Sequence, residues 1–226
     1  MIRRMILPLL FGLTGAAVLS GLGIWQVQRL AWKTDLLARI EARIADAPVA
    51  LAEATGDYQP VQLSGRYTGQ ELHVLASLKR EGAIYRIISA FETPEGRRIL
   101  VDRGFVPATD KTAPRTGGQA TLIGNLHSPD EVDFFTPEPD LATNIWYARD
   151  VPAMASALGT EEVFVILRKT SETPPPVTPL PVDTSGIPND HFGYAVTWFS
   201  LAAIWLGMTA ALLWRIRRKN RAGHWG

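Results

Sequence analysis

The 226-residue sequence predicts a membrane protein in which two transmembrane α-helices flank a β-rich α+β extracytoplasmic domain. Two uncharged apolar runs, at residues 5–25 and 192–214, are the first observation behind this prediction. As helices they would extend about 31 Å and about 34 Å, enough to cross the hydrocarbon core of a bilayer. The second observation is the long segment between them, which has the length of one globular domain with its own core.

The third observation is the uneven distribution of charge along the chain. Seven Lys and Arg residues and no acidic residue lie outside the two runs, whereas all 22 Asp and Glu residues lie between them. Positive charge favours the cytoplasmic side, so both termini are predicted to be cytoplasmic and the domain periplasmic. The terminal cations suit anionic membrane lipid, and nothing in the sequence predicts a nucleic-acid partner.

These observations divide the chain into six predicted segments. They are a cytoplasmic N-terminus at 1–4, transmembrane helix 1 at 5–25, a β-rich extracytoplasmic domain at 26–171, a Pro-rich linker at 172–190, transmembrane helix 2 at 191–214 and a basic cytoplasmic tail at 215–226. The first apolar run is longer than a signal-peptide core and continues into Trp25–Arg29 without a small-residue cleavage site. We therefore expect a retained anchor, in a multi-pass protein of the bacterial inner membrane.

The domain is predicted to consist mostly of short strands. The helix of the first run should continue to about Ala45, where Pro48 ends it, and a second helix is expected at Val151–Leu158 with Asp150 as its N-cap. Six strands suggest a small β-barrel or a twisted sheet that carries helices. The predicted strands are Val61–Tyr67, Leu72–Ser77, Ile84–Glu92, Ile99–Val106, Ala120–Leu126 and Val163–Lys169.

Three connecting segments have their own interpretations. Pro94-Glu95-Gly96 predicts a hairpin turn, and Asp102-Arg103 is interpreted as part of an edge turn beside a buried Phe105. The Pro-rich linker is expected to be a stiff spacer, which either returns the chain to the membrane or lies along the domain.

The absence of cysteine excludes several chemistries. Covalent haem attachment through Cys-x-x-Cys-His and copper transfer by thiolates both require cysteine. A metal would therefore depend on histidine, carboxylate or a cofactor's own ligands.

His191 is the first candidate for such a role. It opens the second apolar run, and residues seven apart lie nearly on one line of a helix, so His191, Trp198 and Trp205 form a stripe with Tyr194 to one side. A histidine that heads an aromatic stripe suits axial ligation of a haem iron. Histidine and aromatic residues are also common at membrane interfaces, and the residues alone leave both readings open.

Three residues at or just beyond the end of the first apolar run are predicted to lie at the same membrane face as His191, namely Trp25, Arg29 and Lys33. The two cations would pair either with haem propionates or with lipid headgroups. A hydrolase that uses His127 and Ser128 is a weaker alternative, because neighbouring residues rarely form a catalytic triad.

Four blocks of the sequence resemble one known family in their order and spacing. They are Gly23–Lys33, Val101–Pro107, Trp146–Ala155 and Pro188–Phe199. Together they resemble the Surfeit locus protein 1 family of cytochrome oxidase assembly factors.

The resemblance implies a non-enzymatic assembly factor for haem–copper terminal oxidases that transiently binds haem a and assists its insertion into oxidase subunit I. His191 would be the axial iron ligand, Tyr194 and Trp198 would line the pocket, and Arg29 and Trp25 would contribute to cofactor binding. Subunit I, haem a synthase and membrane lipid are the expected partners. The alternative is a membrane-tethered scaffold that stabilises an oxidase intermediate without binding haem.

Overall fold

The computed structural model describes residues 3–115 and 117–222, which fall into two compact units. One unit comprises Met1–Arg39 with Ser185–Gly226, and the other comprises Ile40–Thr184. The helices are α1 (Arg3–Ala45), α2 (Val151–Leu158) and α3 (His191–Ala222); the strands are β1 (Val49–Ala50), β2 (Pro60–Leu78), β3 (Gly82–Glu92), β4 (Arg98–Pro107), β5 (Gln119–Leu126) and β6 (Phe164–Thr170).

The first unit is an antiparallel pair formed by α1 and α3. Met5–Ala45 and His191–Lys219 are long and apolar enough to cross a membrane. Large apolar side chains cover the outside of the pair, including Leu7, Phe11, Phe192 and Met208, all more than half exposed. An apolar outer surface of this extent suggests that the two helices anchor the protein in a membrane.

A line of small residues allows the two helices to approach closely. A Cβ atom on Gly12 would lie 2.2 Å from Thr209 Cγ2, and one on Gly23 would lie 2.8 Å from Phe199 Cε1. Ala16, Ala195 and Ala202 are buried in the same interface. The buried and half-buried positions of α3 recur at alternating steps of four and three residues, namely 191, 195, 198, 202, 205, 209, 213 and 216. This spacing is typical of two helices that pack along a common stripe.

The second unit is built on a six-stranded sheet that closes on itself. The strand order is β1-β2-β3-β4-β6-β5, and β2 also pairs with β5. The first half of β2, Pro60–Arg66, pairs with β5, and the second half pairs with β3. Because β2 closes the ring, the strands form a small barrel, to which β1 is added at the edge.

The barrel has an apolar core on each side of its wall. One cluster includes Val61, Phe91 and Leu122, and it contains residues of β2 to β6. The other lies under α2 and includes Leu100, Trp146 and Met154. Asp150 caps α2 by accepting a hydrogen bond from Ala153 N at 3.1 Å, and Gly159 ends the helix in the left-handed conformation.

The Pro-rich segment lies along the barrel as far as Thr184. Thr178 and Phe105 exchange two backbone hydrogen bonds of 2.9 and 3.1 Å, and Val177 is buried between β3 and β4 side chains. Of the two courses expected from the sequence, this part of the segment therefore follows the domain.

The structure confirms most predicted elements. It confirms the helix to Ala45, the helix Val151–Leu158 and the hairpin turn at Pro94–Gly96, where Thr93 N donates to Arg97 O at 2.9 Å. The prediction of two strands at 61–67 and 72–77 was wrong, because β2 runs through both with an irregularity between Tyr67 and Glu71. Gly69, with a φ of 88°, lies within that irregularity and allows the strand to bend instead of ending.

Gly104 provides a test of the contact between barrel and Pro-rich segment. Its φ is 114°, and a Cβ atom there would lie 2.0 Å from Thr178 O. We expect Gly104→Ala to lower the free energy of unfolding by about 3 kcal/mol, because strain and a backbone clash act together. Thermal unfolding of the full chain in detergent, followed by near-UV circular dichroism, measures the loss.

Gly118→Ala is the matched control for this substitution, since no atom lies within 4 Å of a Cβ built there. Equal melting temperatures for the Gly104 and Gly118 variants would contradict the packing described above.

Candidate functional site

The most distinctive polar contact of the helix pair joins His191 to Gln26. His191 Nδ1 lies 2.8 Å from Gln26 Oε1. Because an amide oxygen only accepts hydrogen bonds, this contact selects the neutral tautomer in which Nδ1 carries the proton and Nε2 keeps its lone pair. Nε2 has no partner among the described residues, so it is available to coordinate a metal.

Gln26 is a residue of the candidate site that sequence reasoning missed. Its side chain is buried on the face of α1 that packs against α3, and the other fully buried positions of that helix are Gly12, Ala16 and Gly23. A polar residue at a buried position of an apolar helix was the available signal, since such a residue requires a partner. Its partner, however, is 165 positions away in the sequence.

The other predicted residues of α3 lie beside or below His191. Trp198 is half-buried on the same stripe, about 10 Å along the helix from His191. Tyr194 lies one turn from His191 and is 57% exposed. Trp205, further along, donates its indole N–H to Gly12 O at 3.0 Å and so belongs to the helix interface. The structure thus brings His191 and Trp198 onto one face and leaves Tyr194 at its side.

The predicted residues of α1 lie on one flank of Gln26. Trp25 is 54% exposed, and Arg29 stacks its guanidinium on the Trp32 ring at 4.1 Å. Arg29 follows Gln26 by less than one helical turn and makes no ion pair among the described residues. This arrangement leaves an aromatic ring and an unneutralised cation near the end of the helix pair that carries His191.

His127 and Ser128 do not have the geometry of a catalytic pair. Both contact Asp57 Oδ1, with His127 Nδ1 at 3.4 Å and Ser128 N at 2.8 Å. Burial lowers the pKa of His127, and the nearby carboxylate of Asp57 only partly offsets this effect. In residues 3–115 and 117–222, no hydrogen bond joins the Ser128 hydroxyl to His127. Asp57 therefore serves to hold the turn that contains both residues.

Asp102 and Arg103 are buried within β4, so their interpretation as part of an edge turn was wrong. Asp102 is 0% exposed and accepts a hydrogen bond from Arg86 Nε at 2.7 Å and one from Gly104 N at 3.0 Å. Arg103 points to the other side of the strand and pairs with Glu172 at 2.7 Å. Phe105 is only half-buried. Buried charges of this kind require partners, and these partners come from distant segments.

Arg149 connects the buried ion pair of Asp102 and Arg86 to the long surface loop at residues 128–149. Its guanidinium lies 3.8 Å from Asp102 Oδ2, and its Nε donates to both oxygens of Glu131 at 3.1 Å. Burial raises the pKa of Glu131, but the hydrogen bonds and charge of Arg149 outweigh it and hold that pKa below its usual range. The two ends of the loop are thereby fixed to the barrel.

A third polar cluster, at the β2 irregularity, has a structural explanation. Arg115 pairs with Glu71 at 2.6 Å, and His73 Nε2 lies 2.8 Å from the same carboxylate. Arg115 also donates to Lys111 O at 2.7 Å and so holds the loop that follows β4. In the described part of the chain, no three His, Asp or Glu side chains come together as a site for a metal ion.

The relationship to known proteins follows from comparison of the whole chain. Residues 13–203 match the model of the SURF1 family. The chain belongs to the SURF1 family. The matched stretch contains Gln26 and the five predicted site residues, namely Trp25, Arg29, His191, Tyr194 and Trp198.

Individual SURF1 relatives align over most of the chain. Surfeit locus protein 1 of Homo sapiens is 32% identical over 212 residues, which cover 81% of this chain and 70% of the human protein. The protein of the same name from Rattus norvegicus is 31% identical over 216 residues, which cover 83% of this chain and 69% of the rat protein. A SURF1-like protein of the bacterium Rickettsia conorii is 28% identical and covers 82% of each chain.

The contact between Gln26 and His191 is testable in this SURF1-family protein without a ligand. In Gln26→Leu, an Nδ1–H would be left without an acceptor at a cost of about 1–3 kcal/mol, so the Nδ1–H tautomer should become less populated. Nitrogen-15 NMR of the histidine-labelled protein measures the tautomer ratio, with His191→Ala to assign the signal.

Gln28→Leu makes the same side-chain change at an exposed position two residues further along α1, and it should leave the ratio unaltered. An unaltered ratio in Gln26→Leu as well would show that the amide does not hold the ring.

The pair Glu131–Arg149 predicts an acid-sensitive loop. Because the folded-state pKa of Glu131 is lowered, its contribution to stability is present above the unfolded-state pKa of about 4.5 and is lost as the pH falls through the lower folded value. The melting temperature should therefore fall less between pH 6 and pH 3.5 in Glu131→Gln than in the unaltered protein.

Glu138→Gln is the control, since Glu138 lies in the same loop and makes no ion pair among the described residues. If the melting temperature fell equally with pH in Glu131→Gln and in the unaltered protein, the Glu131–Arg149 pair would not be the source of the acid sensitivity.

Proposed function

We propose that the protein is a non-enzymatic assembly factor for a haem–copper terminal oxidase, which binds haem a in the membrane and assists its insertion into subunit I. The observation that carries the proposal is the orientation of His191. Its Nδ1–H is bound by Gln26, so Nε2 remains as a ligand atom at one end of the helix pair. Histidines that bind metals usually donate their second ring N–H to a fixed acceptor, which sets the tautomer and the ring direction.

The residues around His191 fit a flat, mostly apolar group with acidic edges. Trp198 and Tyr194 on α3 and Trp25 on α1 offer ring surfaces that the protein itself leaves partly uncovered. Arg29 offers a cation that no carboxylate of the described residues neutralises, which suits a propionate. Cysteine is absent from the chain, which excludes covalent attachment and thiolate ligation and is compatible with noncovalent ligation by histidine.

Each residue then has a distinct task. His191 Nε2 would be the axial ligand, Gln26 would hold its ring, the aromatic side chains would exclude water, and Arg29 would orient the acidic edge. Bound haem a supplies the iron centre that the oxidase requires. A single neutral histidine ligand permits release, which a protein that delivers its cargo requires and covalent attachment would prevent.

The proposed setting is a bacterial inner membrane, with both termini in the cytoplasm and the barrel in the periplasm. The apolar outer faces of α1 and α3 contact lipid, and the basic residues beyond the two apolar runs favour this orientation. Subunit I is the recipient, and haem a synthase is the proposed source of the cargo.

A second candidate function is that of a membrane-tethered scaffold, which holds an oxidase intermediate without binding haem. The barrel favours this candidate in one respect, since it presents two exposed phenylalanines, Phe134 and Phe135, that suit contact with another protein.

The absorbance spectrum of the purified full chain tests the proposal. Protein from cells that make haem a should carry the haem, and His191→Ala should lower the haem content at least tenfold, as expected for loss of an axial ligand. His127→Ala is the matched control, because it removes a histidine that the proposal does not use.

Oxidase activity of the membranes should fall with haem content. Haem content that is equal in His191→Ala and the unaltered protein would reject the ligand, whereas co-purification with subunit I and no haem absorbance would support the scaffold.

A further inference from the structure

The surface loop at residues 128–149, here the acidic loop, presents an unusual apolar feature. Phe134 is 94% exposed and Phe135 is 85% exposed, and their rings meet edge to face at 5.4 Å. Val132 and Leu141 of the same loop are also more than half exposed. A single exposed apolar residue is ordinary, but a cluster that includes two aromatic rings marks an interaction surface.

The loop holds these two rings outward by specific hydrogen bonds. Asp133 Oδ1 accepts from Phe135 N at 2.9 Å and from the Thr136 hydroxyl at 3.0 Å, while Asp133 N donates back to that hydroxyl at 2.9 Å. At the end of the loop, Arg149 is bound to Glu131. The turn is therefore closed around Asp133 and Thr136, and the phenylalanines are displayed by an ordered structure.

Charge indicates which partner suits this surface. The loop contains five carboxylates, at positions 130, 131, 133, 138 and 140, and one cation, Arg149, which is already paired. Lys111, from outside the loop, contacts the Thr143 carbonyl. Membranes that carry anionic lipid repel such a loop, whereas a protein surface with Lys and Arg around an apolar pocket attracts it.

A cleft lined partly by residues of the acidic loop also favours a polypeptide. Its volume is about 140 Å³, and it is lined by residues that include Glu138, Trp146 and Asp150. Glu138 is exposed at this cleft, and its carboxylate would suit a Lys or Arg side chain of the partner.

We propose that the acidic loop docks onto a protein surface that has an apolar pocket bordered by Lys and Arg. The identity of the partner rests on the proposed function: the surface belongs to the extramembrane part of an oxidase assembly intermediate that contains subunit I. Phe134 and Phe135 fill the pocket, and the carboxylates orient the approach.

Direct binding tests the contribution of the phenylalanines. The full-length protein in detergent is titrated with the purified subunit I intermediate from cells that cannot make haem a. Replacement of both rings (Phe134→Ser with Phe135→Ser) should raise Kd at least about tenfold, since buried aromatic anchors dominate most interfaces. The control, Phe134→Tyr with Phe135→Tyr, keeps both rings and should stay within about threefold of the unaltered protein. Equal Kd values for the Ser variant and the unaltered protein would overturn the proposal.

Salt dependence tests the contribution of charge. Binding should weaken as salt rises from about 0.1 M to about 1 M, where the screening length falls from about 10 Å to about 3 Å. Asp130→Asn with Glu138→Gln should reduce this dependence. The matched control, Glu81→Gln with Glu95→Gln, removes the same charge from two other exposed turns and should preserve it. Equal salt dependence in the two double variants would overturn the role of the loop.

A photo-crosslinking amino acid in place of Phe134 separates protein from lipid as the partner. An adduct with a subunit of the added intermediate supports docking, and an adduct with phospholipid alone overturns it. Haem content of the same preparations keeps the two proposals distinct. If the protein carries no haem but its binding depends on the two rings, haem delivery is rejected and docking is supported. If the protein carries haem but binds no intermediate, docking is rejected and haem binding is supported.

Discussion

The barrel depends on one strand that pairs with different neighbours along its length. The first half of β2 pairs with β5 and the second half pairs with β3, so β2 alone joins the two sides of the sheet. The bend at the Tyr67/Glu71 irregularity makes this possible, because a straight strand would leave β5 as an open edge. Closure places one apolar core inside the ring and a second under α2, and it fixes the positions at which the acidic loop begins and ends.

Buried polar groups determine how the other segments join this scaffold. Asn125 donates to Ile44 O at 3.1 Å, and Arg168 donates to the same carbonyl at 3.0 Å, so the last turn of α1 is capped by β5 and β6. Arg149 meets Asp102 and Glu131, and Arg115 meets Glu71. In each case a charged or amide side chain of one segment forms a hydrogen bond or an ion pair with a polar group of another segment. Such contacts are costly to leave incomplete, which gives each attachment a single favourable arrangement.

The sequence was sufficient for elements that have local signals and insufficient for those that depend on distant partners. Short runs separated by Gly and Pro predicted the strands, and Asp150 predicted the start of α2. The join of two predicted strands into β2 was missed because Gly69, which lies between them, resembles a turn residue. Asp102 was assigned to a turn because Arg86 and Arg149, which allow its burial, lie far away in the chain. At the candidate site, His191 was found from its place at the head of an aromatic stripe, whereas Gln26 required knowledge of how α1 faces α3. Haem binding and membrane orientation stay predictions.

Trp205 gives the helix pair a second polar contact, far from the first. Its indole N–H binds Gly12 O, while His191 binds Gln26, and the two α3 residues are 14 positions, or about 21 Å, apart along the helix. A single contact would permit α3 to pivot about that point and so change its angle to α1. Two contacts 14 residues apart remove this freedom, since a pivot about one breaks the other. The direction of the free imidazole nitrogen is therefore determined partly by a tryptophan about four helical turns away along α3.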